Sequence, residues 1–369
     1  MSSTEEPQAK KRLASIDALR GFDMFWIMGG DALAIALLTM LAIPGSATLA
    51  KQFEHVAWEG FRFYDLIFPL FLFLVGCVLP FSLDKYRDEP KAVYTRIARR
   101  TAALFLLGLI ANGLLKLEFD DLRIAGVLQR IGICYGIAAL IFVHANLRGR
   151  IITIAGILLG YWALLRFVPA PGGVAGDMSI EGNLAGWLDR EFLPGKILEQ
   201  YYGFGDNEGI LSTIPAIATA LLGTLAGSWL RTSRTDLQKL GGLLAGGVAC
   251  LVAGYAWGLS FPIIKNLWTT SFVLVTTGWS LLLLGLFYWL MDIIGYKKWA
   301  LPFTFIGCNA ITIYMCQRFI KFDYMSEYFF GGLASIWESQ STLILLIGTI
   351  AFKILFLWFL YSKKVFLRV

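Results

Sequence analysis

Residues 54–76 read EHVAWEGFRFYDLIFPLFLFLVG. An aromatic and charged approach holding His55, Glu59, Arg62 and Asp65 gives way at Leu66 to eleven residues without a charged or hydrogen-bonding side chain. The apolar run continues to Leu83, so a helix over 62–83 supplies the roughly 20 residues needed to cross about 30 Å of hydrocarbon. Trp58 and Tyr64 fall where interfacial aromatics stand. No strand-like alternation competes with this reading, which excludes a β-barrel.

Applied outward along all 369 residues, the same criterion gives ten spans: 20–42, 62–83, 97–115, 124–144, 150–168, 210–230, 240–259, 268–290, 300–320 and 342–361. Asn112 and Lys353 weaken the third and the tenth. Composition agrees. The chain is 57% apolar and only 16% charged, against roughly a quarter charged for soluble domains. The +6 net charge comes from short clusters between apolar runs, a poor match to a nucleic-acid surface. Cys77, Cys134, Cys250, Cys308 and Cys316 all lie in apolar runs without a CxxC pair, so they read as buried small hydrophobes, with no disulfide frame and no metal site.

Lys and Arg set the orientation. With the N-terminus cytoplasmic, nineteen fall on inside segments and eight on outside ones. The expected fold is an all-α integral membrane protein, a polytopic bundle of about ten transmembrane helices, N-in and C-in. Residues 1–19 read as a cytoplasmic tail, because the following apolar run is too long for a signal peptide and lacks a small-residue cleavage site. Residues 20–369 read as one transmembrane domain, and the outer loop 169–209 is the one connection long enough for a lid or a substrate surface.

Ionisable groups inside a span cost a few kcal/mol and mark candidate sites. The first span carries Asp17, Arg20, Asp23 and Asp31. In a continuous helix Arg20 and Asp31 share a face about 16 Å apart along the axis, a cation at the inner mouth and a carboxylate at mid-depth. Asp17 and Arg20 also suit a plain interfacial ion pair. His55 lies among Glu54, Glu59 and Asp65 at the outer mouth, where a neutral imidazole can serve as general base or acyl acceptor, oriented by a carboxylate on its other nitrogen. His144, beside NLRGR, reads as solvated. IAGVLQRIGICYG puts Gln129 and Arg130 inside the fourth span, with Asp31 or Asp65 as the arginine's available partner. YYGFGDNEGILSTIP only resembles a glycine-rich phosphate loop; it reads as a turn in which Asp206 or Asn207 caps a helix, and Asp206 and Glu208 offer carboxylates to an amine or a sugar hydroxyl. FPIIKNLWTTSF places Lys265 and Asn266 on a short outer turn. FIGCNAITIYM places Asn309 mid-span, as interhelical glue or a cavity donor.

Six segments in order, RLASIDALRGFDMFW, HVAWEGFRFYDLIFPLFLFLVG, GVLQRIGICYG, DNEGILSTIPAI, KNLW and GCNAITIYM, resemble the heparan-α-glucosaminide N-acetyltransferase family of transmembrane acyltransferases, in its bacterial branch. The likeness runs from about Arg12 through the ninth span; the animal members' additional lumenal domain and extra helix have no counterpart here. It implies an acetyl group passed from cytosolic acetyl-CoA to a terminal glucosamine amine across the membrane. The family's H-x-x-W-x-G motif falls on His55, Trp58, Glu59 and Gly60, which makes His55 the base or acyl carrier. The family's first-helix Asn, ten positions after Arg-Gly, is Asp31 here, and the Asn after the motif Trp is Glu59. An ionised Asp31 does not donate to a thioester oxygen, so it orients His55 or binds the amine. With Asp65 it completes the expected catalytic group.

Under this likeness Arg20, Arg99 and Arg100 hold CoA phosphates, while Gln129, Arg130 and Asn309 line the pantetheine path with Asp31. Trp58, Glu59, Asp206, Glu208, Lys265 and Asn266 face the acceptor. The partners implied are the lipid bilayer, an amino sugar or glycan and a second copy in a homodimer, with no nucleic acid and no metal. The location implied is the bacterial inner membrane. Two rivals use the same residues: a solute transporter working through the intramembrane charges, and a non-catalytic CoA- or glycan-binding membrane protein.

Overall fold

The computed structural model describes residues 13–86, 89–198 and 203–367. Residues 1–12, most of the expected tail, lie outside these. Helix has already begun at Ala14, six residues before the expected span, because Asp17 sits in its first turn and Ser15 N–H donates to Asp292 Oδ2 on a neighbouring helix at 3.2 Å.

The chain is helical throughout. The first span is α1 (Ala14–Phe25), a five-residue π turn at Trp26–Gly30, and α2 (Asp31–Leu41). Gly29 takes φ +118° at that turn, open to glycine and strained for any L side chain. A short α3 (Ser46–Ala50) leads to the His55 loop and then α4 (Ile67–Leu83). There follow α5 (Pro90–Ala111), α6 (Val127–His144) and α7 (Leu147–Phe167). The outer loop contains α8 (Leu184–Phe192), and α9 (Thr213–Leu230), α10 (Asp236–Gly258) and α11 (Thr270–Tyr288) come next. The chain ends through α12 (Leu301–Cys308), α13 (Ala310–Phe319), α14 (Phe322–Ile336) and α15 (Ser341–Ser362).

Among the described residues eight helices are long and apolar enough to cross a bilayer, and a ninth span forms if α12 and α13, bent by 64° at Asn309, are taken together. The expected bundle of about ten spans is recovered, one short by this measure of length and apolarity. The difference is α5, a 22-residue helix whose first half carries Lys91, Arg96, Arg99 and Arg100. The 15-residue α14 was not expected; it folds back on α15, where Ser326 Oγ donates to the Leu345 carbonyl at 2.7 Å.

Two helix pairs approach closely enough to exclude side chains. A Cβ on Gly76 of α4 would lie 1.8 Å from the Ala220 carbonyl oxygen of α9, and one on Gly223 of α9 would lie 2.0 Å from that of Phe73. Likewise Gly21 of α1 meets the Phe303 carbonyl and Gly307 of α12 that of Asp17. Small residues at such crossings let helices pack where lipid supplies no hydrophobic drive between them. The α4–α9 and α1–α12 pairs thereby fix the walls around the site. The five cysteines are unbridged, but only Cys77 and Cys134 are buried; Cys250, Cys308 and Cys316 are half-buried.

Candidate functional site

Two segments distant in sequence pair to build the site. Gly60, at φ +118°, donates its N–H to the Ile263 carbonyl at 2.8 Å, and Glu59 bridges antiparallel to Ile264. Ile264 N–H is held in turn by Thr269 Oγ1 at 3.1 Å. This pairing brings Lys265 to the loop that carries His55. Lys265 and Asn266 lie on a turn, as expected, and the pairing leaves the Lys265 side chain only 13% exposed.

Asp65 is the fixed point. Its side chain is fully buried in the turn Phe63–Leu66 that starts the span. Oδ2 accepts from the N–H groups of Arg62 (3.1 Å) and Val56 (3.4 Å). Oδ1 lies 2.8 Å from His55 Nδ1 and 3.4 Å from Lys265 Nζ. An ionised carboxylate only accepts, so Nδ1 carries the proton and Nε2 keeps its lone pair. Lys265 Nζ is nearly equidistant from Nδ1 (2.9 Å) and Nε2 (3.1 Å). The two ring nitrogens point apart in the ring plane, so the ammonium lies off both lone-pair directions, beside the ring. The Tyr64 ring stands 4.7 Å from the imidazole, and Arg62 Nη1 holds the His55 carbonyl at 3.1 Å. Burial pulls the Lys265 ammonium below the usual lysine range, and the charges of Asp65 and Glu208 offset this only in part.

His55, Tyr64, Lys265, Asn207 and Glu208 form the mouth of a cavity of about 180 Å³. Its deeper wall is apolar: Met24 and Ile27 of the first span, Phe68 and Phe71 of α4, Leu128 and Ile131 of α6, and Ile311 of α13. Glu208 is set by Arg123, whose Nη2 lies 2.5 Å from both Glu208 Oε2 and Asp206 Oδ1 while Nε donates to Asp206 Oδ2 at 2.9 Å. These carboxylates push the Arg123 guanidinium up against the opposing effect of burial. Beneath them the buried Asp189 accepts from Asp206 N–H (3.2 Å) and Ile210 N–H (2.8 Å), and burial pushes its carboxyl up to about 6. Asp206 therefore braces an arginine and its own turn; it caps no helix, since the N-cap of α9 is Ser212.

One helical turn below the cavity floor, Arg20 follows from Met24 on α1 and Tyr135 from Ile131 on α6. Arg100 stacks on Tyr135 at 4.5 Å, and its charge and that of Arg20 act on one another. Arg20 also reaches Asp17 Oδ1 at 3.5 Å. Buried polar atoms without hydrogen-bond partners lie on the surrounding helices: Arg100 Nε and both polar side-chain atoms of Asn309 at the α12–α13 break.

The structure brings together His55, Asp65, Lys265 and Glu208, with Arg20 of α1 one helical turn below the cavity floor and Arg100 of α5 stacked on Tyr135 at that level. Other candidates fall elsewhere. The π turn breaks the helical phase between Arg20 and Asp31, so the shared face does not form. Asp31 sits half-buried on the lip of the break near Lys353, whose Nζ donates to the Met28 carbonyl at 2.7 Å and feels the Asp31 charge. Arg130 pairs with neither Asp31 nor Asp65. It turns toward α9, donating to Ser212 Oγ (2.5 Å) and the Gly209 carbonyl (3.3 Å) and lying 5.1 Å from the Trp268 ring. Gln129 packs against Gly108 of α5 with its Nε2 unpartnered. Trp58 donates to the Met178 carbonyl at 2.8 Å in the outer loop, and Trp58 and Asn266 line a separate small cleft. Glu59 and Arg99 are exposed. His144 is hydrogen-bonded to Tyr94 OH at 3.0 Å. Sequence reasoning did not single out Arg123; the signal available was the need of Asp206 and Glu208 for a cation.

No known family profile matches the chain. It is 27% identical over 420 residues to the heparan-α-glucosaminide N-acetyltransferase of Homo sapiens, covering 97% of this chain and 60% of that protein. Against the protein of the same name from Mus musculus it is 25% identical over 433 residues, covering 100% and 63%. The chain thus spans about three fifths of the length of these relatives. Over nearly its whole length, this polytopic helical membrane protein is heparan-α-glucosaminide N-acetyltransferase-like.

Proposed function

We propose that the chain is a transmembrane acyltransferase that passes an acetyl group from acetyl-CoA, admitted at the Arg20–Arg100 end, to the amine of an amino sugar or glycan at the His55 end. In this reading the first end faces the cytoplasm and the second lies outside a bacterial inner membrane. The observation that carries it is the Asp65–His55 hydrogen bond at the mouth of a cavity whose apolar floor, at Met24 and Ile131, lies one helical turn from Arg20 and Tyr135. The acceptor nitrogen attacks the thioester carbonyl, an N–C bond forms, the C–S bond breaks, and the amine proton moves through His55 Nε2 to the leaving thiolate. If the acetyl group pauses on the protein, Nε2 is the atom that holds it. Lys265 Nζ, beside the ring, faces the charge that develops on the carbonyl oxygen. Glu208, braced by Arg123, meets the acceptor's ammonium or hydroxyl. The unpartnered Asn309 amide matches the amides of a pantetheine arm.

The test uses protein in liposomes with acetyl-labelled CoA on one side and glucosamine on the other. Labelled N-acetylglucosamine should form with the wild type and not with His55→Ala. Normal transfer by His55→Ala would overturn the assignment of the base. The breaks at Trp26–Gly30 and at Asn309 favour a second reading, since discontinuous helices mark many transporters. Sugar flux across the same liposomes without any acyl donor would select that reading instead.

A further inference from the structure

The geometry points to a second ligand site at the other end of the bundle: a cavity of about 710 Å³ that takes a phosphate ester between the ends of α4, α6 and α9 and the starts of α5 and α7. It is separate from the His55 cavity. On α4 the two are nine residues apart, from Phe71 to Pro80, or about 13 Å. In that interval Leu72, Leu79, Ala138 and Ala139 are packed with at most 1% exposure.

Its polar wall is cationic. Arg150 donates through Nη1 to Ser228 Oγ at 3.1 Å, its Nε is buried without a partner, and among the described residues no carboxylate lies within ion-pairing distance of it. Arg231 is held through Nη1 by Asp84 and the Pro80 carbonyl, and its Nε is likewise buried and unpartnered. Asp84 thus pairs with Arg231 and acts on Arg150 only at longer range, so two guanidinium groups share one carboxylate among the described residues. The start of α7, capped by Asn146 at Gly149 N–H (2.8 Å), adds the positive pole of a 21-residue helix to the same wall. A guanidinium edge presents two parallel N–H donors that fit two phosphate oxygens. Leu83 and Val93 give the cavity an apolar side, and Phe142 lies under the Arg150 guanidinium at 4.8 Å, which suits an ester whose remainder is a lipid tail. A simple anion would leave most of the volume unfilled. A phospholipid headgroup has this chemistry. The inference does not depend on transfer at His55.

The test places the full-length protein in phosphatidylcholine nanodiscs and titrates 3′,5′-adenosine bisphosphate; in parallel, nanodiscs doped with phosphatidylglycerol are assayed for retained anionic lipid by native mass spectrometry. Saturable retention of the anionic lipid is expected; saturable binding of the bisphosphate to this cavity instead would overturn the assignment to a lipid. Arg150→Gln should weaken lipid retention by about tenfold or more, the worth of a charge-assisted hydrogen bond. Val143→Trp, which fills the cavity without touching a charge, should weaken it as well, and His55→Ala should bind as the wild type does. Absence of lipid retention, or wild-type affinity in either cavity variant, overturns the proposal. Loss of transfer in His55→Ala with binding retained separates the two sites.

Discussion

Asp65→Asn is the sharpest perturbation the site offers, because the replacement keeps the shape and changes one hydrogen-bonding sense. The Arg62 and Val56 N–H groups both point at the Oδ2 position, so the asparagine must put its carbonyl oxygen there. The amide NH2 then occupies the Oδ1 position, 2.8 Å from His55 Nδ1. An NH2 only donates, so Nδ1 becomes the acceptor and the proton moves to Nε2, where the lone pair is needed. The fold survives, since the backbone bonds at the start of the α4 span are retained, but the base is lost. The same change of tautomer in a serine protease triad lowers kcat about 10,000-fold. Lys265 loses its carboxylate at 3.4 Å in the same step. A fall in kcat of at least about 1000-fold, or roughly 4 kcal/mol of barrier, is therefore expected. The measurement is steady-state acetyl transfer from acetyl-CoA to glucosamine in liposomes, with thermal unfolding in detergent as the check on folding. Asp65→Ala should instead destabilise the protein by about 3 kcal/mol by stranding the two N–H groups. Activity of Asp65→Asn within threefold of wild type would refute the assigned tautomer and the role of Asp65 with it.

Lys265→Met should lower kcat about 100-fold, as loss of a donor to a developing oxyanion does. Because burial lowers the Lys265 pKa, the wild type should also lose activity as pH rises toward, but not yet into, the ordinary lysine range, and a pH–rate profile of the variant should lack that limb. Asp189, raised to about 6, favours the folded state most fully below its unfolded value of about 4, and that contribution is lost as pH rises through 6. Denaturation between pH 4 and 7 should show the wild type losing up to about 3 kcal/mol relative to Asp189→Asn; parallel curves would count against it. Gly223→Val places its side chain against the Phe73 carbonyl and should cost at least about 2 kcal/mol by forcing α4 from α9, read as a lowered Tm. An unchanged Tm would show that the crossing is loose.

What was legible in the sequence follows from what the bilayer demands. A span must be long, apolar and continuous, so nine of the ten apolar segments correspond to single spans or to the bent α12–α13 pair. The remaining one, α5, has the length of a span, but four cations in its first half take it out of the apolar class. The pairing of His55 with Asp65 was readable as well, being local: ten residues apart, with the carboxylate at the start of a span. Lys265 comes from 210 residues away, and its approach depends on a two-residue antiparallel contact with no periodic signature.

Asp31 shows where pattern arithmetic fails. Its expected alignment with Arg20 assumed 3.6 residues per turn from one to the other, but Trp26–Gly30 forms a π turn with Gly29 outside helical geometry. In MFWIMGGD only the paired glycines hint at this, and the same pair would suit close helix packing equally well. The break turns a mid-depth carboxylate toward α15, where Lys353, which weakened the last span as a sequence feature, donates to the carbonyl of the buried Met28. Two intramembrane charges that looked like separate anomalies therefore have a common cause in one broken helix. Asp31 stands as a carboxylate at this depth with the Lys353 charge across the break from it.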